Sequence, residues 1–294
     1  STITYNLTAT NPNNGCTDND AVTVTVNTAL PNANAGSDFT IKCNLNPTGL
    51  TIGSTPLSGF SYAWIPTTGL SNPNIANPHA NPNATTLYTL TVTNLATGCS
   101  AQDQINVTVD KTPPVANAGS PFTKDCNLNI NGGNIGVAPV SNVTYSWTPS
   151  LGLNSAVIAN PFANPTITTT YFLTATNTGN GCTANDQVVV TVNNTLPTVN
   201  AGQDFLITCQ QFPNGSVIGM TAAPNFIYTW SSLNGLSGLS NTNSTLPIAN
   251  PSVTTTYTLT AEDPVSGCEA KDSVLVSVNK TPPSVNAGPD QTIT

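Results

Sequence analysis

Residues 86–110 read TLYTLTVTNLATGCSAQDQINVTVD, and this stretch decides the architecture. Residues 86–93 make one strand and a turn runs through Gly98. Ile105, Val107 and Val109 then alternate with polar neighbours, the period-two pattern of a second, half-buried strand. The same pattern returns along the chain. Its Gly-Cys pair ends at Cys16, Cys99, Cys182 and Cys268, in steps of 83, 83 and 86 residues. An Asn-Ala-Gly triplet ends at Gly36, Gly119, Gly202 and Gly288 with the same steps, and a second cysteine set stands at Cys43, Cys126 and Cys209. A fixed period of this length marks an array of small, similar domains.

Outward from the hairpin, the rest of repeat 29–111 also reads as short strands. Residues 31–36 suggest an edge strand broken at Gly36, which residues 38–43 resume. Leu50-Thr51-Ile52 is a further strand, and Phe60-Ser61-Tyr62-Ala63-Trp64-Ile65 alternates large and small side chains. Residues 66–82 are rich in Pro and Asn and predict turns with short strands. Nothing has helical periodicity over a useful length. About seven strands in 83 residues predict an all-β fold, a tandem array of β-sandwich domains set end to end. Complete repeats are expected at 29–111, 112–194 and 195–280. Residues 1–28 match the closing strand pair of a preceding repeat, with Tyr5 aligning with Tyr88, Tyr171 and Tyr257, and 281–294 match the first strand of a following one. Partial repeats at both ends predict a slice of a longer protein, since a lone hairpin is marginal in water.

Composition narrows the function. Only 6% of residues are charged, the basic set is five lysines, and the net charge is −8. A nucleic-acid partner would call for a basic stripe, and an anionic membrane surface for a polybasic segment. No stretch approaches a membrane span. With 38% hydrophobic residues in alternating runs, the chain has apolar surface to bury and is not expected to be disordered.

Tyr62/Trp64, Tyr145/Trp147 and Tyr228/Trp230 recur as Tyr-x-Trp. Residues two apart in a strand share a face, so these rings are expected as the largest pieces of each core. An aromatic sugar platform is the sharper alternative. After Trp230 the third repeat carries an insertion with a doubled Gly-Leu-Ser, which marks a surface loop tolerant of length change.

The succession Asn-Ala-Gly, Tyr-x-Trp, Gly-Leu, Ile-Ala-Asn-Pro, Thr-Thr-x-Tyr-x-Leu-Thr and Gly-Cys resembles the immunoglobulin-like or PKD-like repeats of giant cell-surface adhesins of Bacteroidota. Those adhesins include proteins associated with gliding motility and type IX secretion. The resemblance covers essentially the whole chain and implies an extracellular stalk of tandem immunoglobulin-like sandwiches. One departure stands out: PKD domains usually follow their Trp with Asp-Phe-Gly-Asp-Gly, whereas Trp64 here precedes Ile-Pro and Trp147 precedes Thr-Pro. No ligand residues carry over.

Seven cysteines in a secreted-looking array are most simply structural disulfide formers. Metal binding is disfavoured by the absence of Cys-x-x-Cys and by a single histidine, His79, read as an exposed loop residue. Three pairings respect the repeat. Joining Cys16 to Cys43 would link far ends of two stacked domains. Joining Cys43 to Cys99, Cys126 to Cys182 and Cys209 to Cys268 would brace each repeat. In an immunoglobulin-like sandwich, however, the strand before Cys43 runs parallel to the last strand, which leaves those sulfurs about 17 Å apart across five residues, while a bridge needs Cα atoms about 5.5 Å apart. The third pairing skips a cysteine, Cys43 with Cys182 and Cys126 with Cys268, and places the partners of Cys16, Cys99 and Cys209 outside the chain. The spacing leaves the bracing and the skipping patterns both standing. The skipping pattern has a mechanical meaning: it would leave only 27 residues, at most about 95 Å of chain, between successive staples.

No catalytic constellation can be assembled, and no cofactor or metal is expected. Asp20, Asp103, Asp186 and Asp272 recur four residues after each Gly-Cys, and their simplest role is to accept hydrogen bonds from backbone. A calcium site would need five or more oxygen ligands, and the partner acids Asp38, Asp204 and Asp290 give way to Pro121 in the second repeat. The expected function is a stalk segment of a long extracellular adhesin or filament, stiffened by disulfides, whose partners are neighbouring repeats and, through other parts of the protein, a surface or glycan. Two alternatives stand beside it: a glycan- or protein-binding module using the loops after each Trp, and a strand-exchanging filament subunit. Enzyme activity is not expected.

Overall fold

The computed structural model describes residues 2–292, and every regular element in it is a β-strand. A hairpin comes first, β1 (Thr2–Thr10) paired antiparallel with β2 (Thr17–Thr25). The first repeat supplies β3 (Phe39–Lys42), β4 (Leu50–Thr51), β5 (Phe60–Ile65), β6 (His79–Ala80), β7 (Thr86–Asn94) and β8 (Ser100–Asp110). The second supplies β9 (Phe122–Asp125), β10 (Gly133–Asn134), β11 (Val143–Thr148), β12 (Phe162–Ala163), β13 (Thr169–Asn177) and β14 (Thr183–Asn193). The third supplies β15 (Phe205–Ile207), β16 (Ser216–Val217), β17 (Ile227–Ser231), β18 (Ile248–Ala249), β19 (Thr255–Glu262) and β20 (Glu269–Val278).

Each repeat builds two layers. In the first, one sheet has the order β3-β8-β7-β5 and a second, two-stranded sheet pairs β4 with β6; the other repeats follow as β11-β13-β14-β9 with β10-β12, and β15-β20-β19-β17 with β16-β18. Apolar side chains alternate inward, because each sheet has one face to hide from water. In the first repeat Ile41, Ile52, Trp64, Ala80, Tyr88, Leu90, Ile105 and Val107 form a buried cluster. Ile207, Ile218, Trp230, Ala249, Tyr257, Leu259, Val274 and Val276 do so in the third. The outward faces are rich in Thr, and there Gln102 and Gln104 donate to the hydroxyls of Thr91 and Thr89, both at 3.0 Å. Cross-strand pairs of this neutral kind let the surface stay wet with few charges.

The edge strand β3 runs parallel to β8, in register from Phe39 against Val107 to Lys42 against Asp110. That direction matters for the sulfurs. It carries Cys43 to the end of β8 remote from Cys99, which sits in the β7–β8 turn.

Residues 31–36, expected to be an edge strand, are not one. Their amides find side chains instead of a ladder: Ala35 N donates to Asp103 Oδ2 at 2.7 Å, and Gly36 N to Asn34 Oδ1 at 3.0 Å. Ala118 with Asp186 and Ala201 with Asp272 repeat the first bond, each at 2.7 Å. A carboxylate on the last strand thus pins the opening segment of each repeat. This is the role of the aspartates that recur four residues after Gly-Cys, and a buried amide needs such an acceptor.

The chain forms two compact units. One holds the hairpin and the first repeat, together with residues 140–144 and 174–185; the other holds residues 117–139 and 145–173 and everything described after 185. Both disulfides lie inside a unit.

Candidate functional site at the repeat junctions

The Trp of each Tyr-x-Trp is buried in its core. Trp64 and Trp147 are 1% exposed and Trp230 6%. Each indole N–H donates to a backbone carbonyl, at Ile75 (3.0 Å), Ile158 (2.9 Å) and Ser244 (3.0 Å) respectively. The third acceptor lies farther along the chain, which absorbs the insertion after Trp230. Rings so enclosed cannot offer a face to a sugar. Tyr62, Tyr145 and Tyr228 are half-buried on the same strand face. The hydroxyls of Tyr62 and Tyr228 accept from the amides of Leu57 and Ala223.

A second tyrosine set is wholly buried and closes the loop that follows each Trp. Tyr88, Tyr171 and Tyr257 donate to the carbonyls of Thr68 (2.6 Å), Leu151 (2.8 Å) and Ser237 (2.8 Å). Burial pushes all three phenols above their ordinary value of 10.0, against smaller opposing hydrogen bonds from Thr86 and Thr169 to the first two. The sign of the linkage follows. Below pH 10 both folded and unfolded chains hold these protons, so stability is undiminished. Above pH 10 the unfolded chain releases protons that the folded one keeps, and stability falls as pH rises toward the folded values. The urea midpoint should therefore decline between pH 10 and 11. A triple Tyr→Phe variant at 88, 171 and 257 should lose that decline, and an equal decline in the variant would refute the assignment.

The junctions between repeats carry the bonded sulfurs. Cys43, just past β3, is joined to Cys182 in the β13–β14 turn, with Cα atoms 5.1 Å apart. Cys126, just past β9, is joined to Cys268 in the β19–β20 turn, with Cα atoms 4.9 Å apart. Each bridge ties the end of one repeat's edge strand to the hairpin turn of the next repeat and skips the cysteine between. The sulfurs of Cys182 and Cys268 are buried, whereas Cys43 is exposed.

Polar contacts surround the first bridge. Asn180, only 1% exposed, donates through Nδ2 to Asp110 Oδ1 and to the Thr112 carbonyl, both at 2.9 Å, while its Oδ1 accepts from the Cys182 amide at 3.0 Å. Lys42 Nζ donates to the Gly179 carbonyl at 2.9 Å, and Asn44 N to the Asn180 carbonyl at 3.2 Å. Gly181 has φ +71° with the Asn44 side chain against it, so a Cβ there would collide. The second junction reuses the glycine (Gly267, φ +67°, against Asn127) and changes the rest. There Asp263 accepts from the Val265 amide and the Ser266 hydroxyl, which hold its carboxyl below the ordinary carboxylate value. The sulfur of Cys268 lies 3.7 Å from the Asn193 carbonyl.

Sequence reasoning did not single out Asn180, Lys42 or Asp110. The one signal was the glycine before each turn cysteine. The clamp residues do not recur at the repeat period, since Thr97 and Ser266 stand where Asn180 does. Cys16 and Cys209 are exposed thiols and Cys99 a partly covered one. His79 lies in β6, not in a loop, exposed, with Nε2 2.8 Å from the Thr48 carbonyl. Asp38 and Asp204 accept from the amides of Asn106 and Leu275. Asp20 accepts from the next amide, that of Ala21. Among the described residues no group of three His, Cys, Asp or Glu is placed to hold a metal ion, and no helix is long and apolar enough to cross a membrane.

No family model and no curated protein matches the chain. Solved structures are similar in fold at low identity. The protocadherin GammaB4 extracellular domain is 15% identical with a TM-score of 0.43, matching 94% of this chain and 53% of its own length, so this chain spans about half of it. The I-band fragment I67–I69 from titin is 11% identical, matching 84% of this chain and 97% of that one, with a TM-score of 0.41. Mouse clustered PcdhgC3 EC1-3 is 14% identical, matching 79% and 96%, with a TM-score of 0.36.

Proposed function

We propose that this chain is a load-bearing segment of a long extracellular cell-surface adhesin or filament. Its task in this reading is to hold other parts of the protein at a distance. The observation that carries the reading is the pair of inter-repeat disulfides. A bridge from one repeat to the next does little for either core, yet it shortens the covalent path through the array. Disulfides also persist in oxidising surroundings outside the cytosol. Low charge and five lysines leave few tryptic sites, which suits exposure to proteases. The immunoglobulin-like or PKD-like resemblance supports the same setting, including the adhesins of gliding motility and type IX secretion.

Antibody to this chain, applied with gold label to intact, unpermeabilised cells that make the protein, should decorate thin projections outside the cell. Label that appears only after permeabilisation would refute the proposal. A second reading keeps one observation of its own. Leu233 in the loop after Trp230 is fully exposed, beside an open depression lined by Ser232, Asn234, Thr254 and Thr256. A glycan- or protein-binding role through that loop would place adhesion within this segment.

A further inference from the structure

The junction around Cys43 has counterparts one and two repeats on. Around Cys126 the counterpart is filled by the turn that carries Cys268. The third copy surrounds Cys209. There Thr208, Gln210, Asn279 and Thr281 stand where Lys42, Asn44, Asp110 and Thr112 stand at the first junction. Together with Cys209 they line an open cavity, and the Cys209 thiol is exposed. In the two filled copies the occupant is a hairpin turn ending in Gly-Cys.

The chain carries one such turn already shaped and uncovered. In the β1–β2 turn Asn11 N donates to the Cys16 carbonyl at 2.8 Å, Gly15 N to the Asn11 carbonyl at 2.9 Å, and Cys16 N to Asn14 Oδ1 at 3.0 Å. The seated turn has the same three bonds: Asn177 N to Cys182 O at 2.9 Å, Gly181 N to Asn177 O at 2.7 Å, and Cys182 N to Asn180 Oδ1 at 3.0 Å. Gly15 and Gly181 share φ +71°. Asn14 therefore stands where Asn180 stands, with its amide available to reach Asn279 and the Thr281 carbonyl. Cys99 is a poorer candidate, because its sulfur already lies 4.0 Å from the Asn27 carbonyl, against the segment that leads into its own repeat.

We propose that the cavity at Cys209 receives the β1–β2 turn of a second copy of this chain, and that Cys209 of one copy bonds to Cys16 of the other. The contact is heterologous, since one end of the molecule meets the other, so it propagates head to tail instead of closing a pair. A second contact fits the same register. Asp20 on β2 is the counterpart of Asp186, and Ala287 of the first copy is the counterpart of Ala118, whose amide Asp186 accepts. The apolar face of the hairpin, with Ile3, Tyr5, Leu7, Val22 and Val24 exposed, would lie against that incoming segment. The oxidant is a small disulfide of the glutathione type. The Cys209 thiolate attacks it and releases one glutathione thiolate; the Cys16 thiolate then attacks the Cys209 sulfur of the mixed disulfide and releases the second. Two protein thiols become one disulfide and two glutathiones are reduced. The inference stands apart from the load-bearing reading, because a purely adhesive segment could carry the same socket.

The test uses the whole chain in a Cys99→Ser background, reduced mildly and then held in oxidised glutathione. A ladder of oligomers should form on non-reducing gels, and peptide mapping should link Cys16 to Cys209. Adding Cys16→Ser or Cys209→Ser should abolish the ladder, and mixing those two variants should give dimers and nothing larger. Asn14→Ala should slow the mixed dimer about tenfold by removing its hydrogen bonds at the socket. Symmetric Cys16–Cys16 or Cys209–Cys209 links formed as fast as the mixed one would overturn the proposal. So would a chain that stays monomeric with glutathione left on Cys209.

Discussion

Pulled between residues 2 and 292 in an oxidising buffer, the chain should stop lengthening at about 430 Å even with every repeat unfolded, and in reductant it should reach about 1,000 Å. The difference follows from connectivity. With both bridges intact the tightest covalent path enters at the start of the chain, crosses from Cys43 to Cys182, runs backwards to Cys126, crosses to Cys268 and continues to the end. That path holds roughly 125 residues, at about 3.5 Å each when taut. Every other route is longer and stays slack. Without the bridges roughly 290 residues carry the load. Bridges confined to single repeats would give a different signature, a separate loop hidden in each repeat. Single-molecule force spectroscopy with and without a phosphine reductant measures the two lengths. Equal lengths would sink the mechanical reading while leaving the fold intact.

Truncating Trp64 to Ala should cost the first repeat about 4 kcal/mol, the usual cost of emptying an aromatic site in a packed core. Trp64 is nearly inaccessible, and the Ile75 carbonyl would lose the indole N–H. The site cannot collapse easily, because Gly53 packs under the ring. A Cβ added to Gly53 would come within 3.0 Å of Trp64 Cζ2 and would collide with the Ala76 carbonyl, and the residue holds φ +80°. The same glycine lies 11 residues before Trp147 and Trp230, at Gly136 and Gly219. A loss of that size takes most of the stability of a domain this small. In urea, far-ultraviolet circular dichroism should show part of the signal melting early. Fluorescence from Trp147 and Trp230 should keep its midpoint. One unshifted transition by both probes would show that Trp64 does not anchor its repeat.

The strands could be read before any coordinates, because alternation is a local property: Tyr88, Leu90 and Val92 fall on one face whichever strands lie beside them. The pinned segment at 31–36 was harder. Its composition suits an edge strand, and only the approach of Asp103, 68 residues away, turns it into a side-chain-held strap. Tyr62 and Trp64 show the same division. Their spacing puts both rings on one face, but the depth of the core decides that Trp64 vanishes while Tyr62 stays at the rim.

For the cysteines, sequence alone established their number, their register with the repeat and the glycine that precedes each turn cysteine. It could not choose partners. All seven thiols are chemically alike, and a bridge depends on a meeting within about 5 Å of residues 139 or 142 apart. The direction of β3 along β8 makes that choice. It sends Cys43 away from the turn of its own repeat and toward the turn of the next, where Asn180 and Gly181 shape the seat.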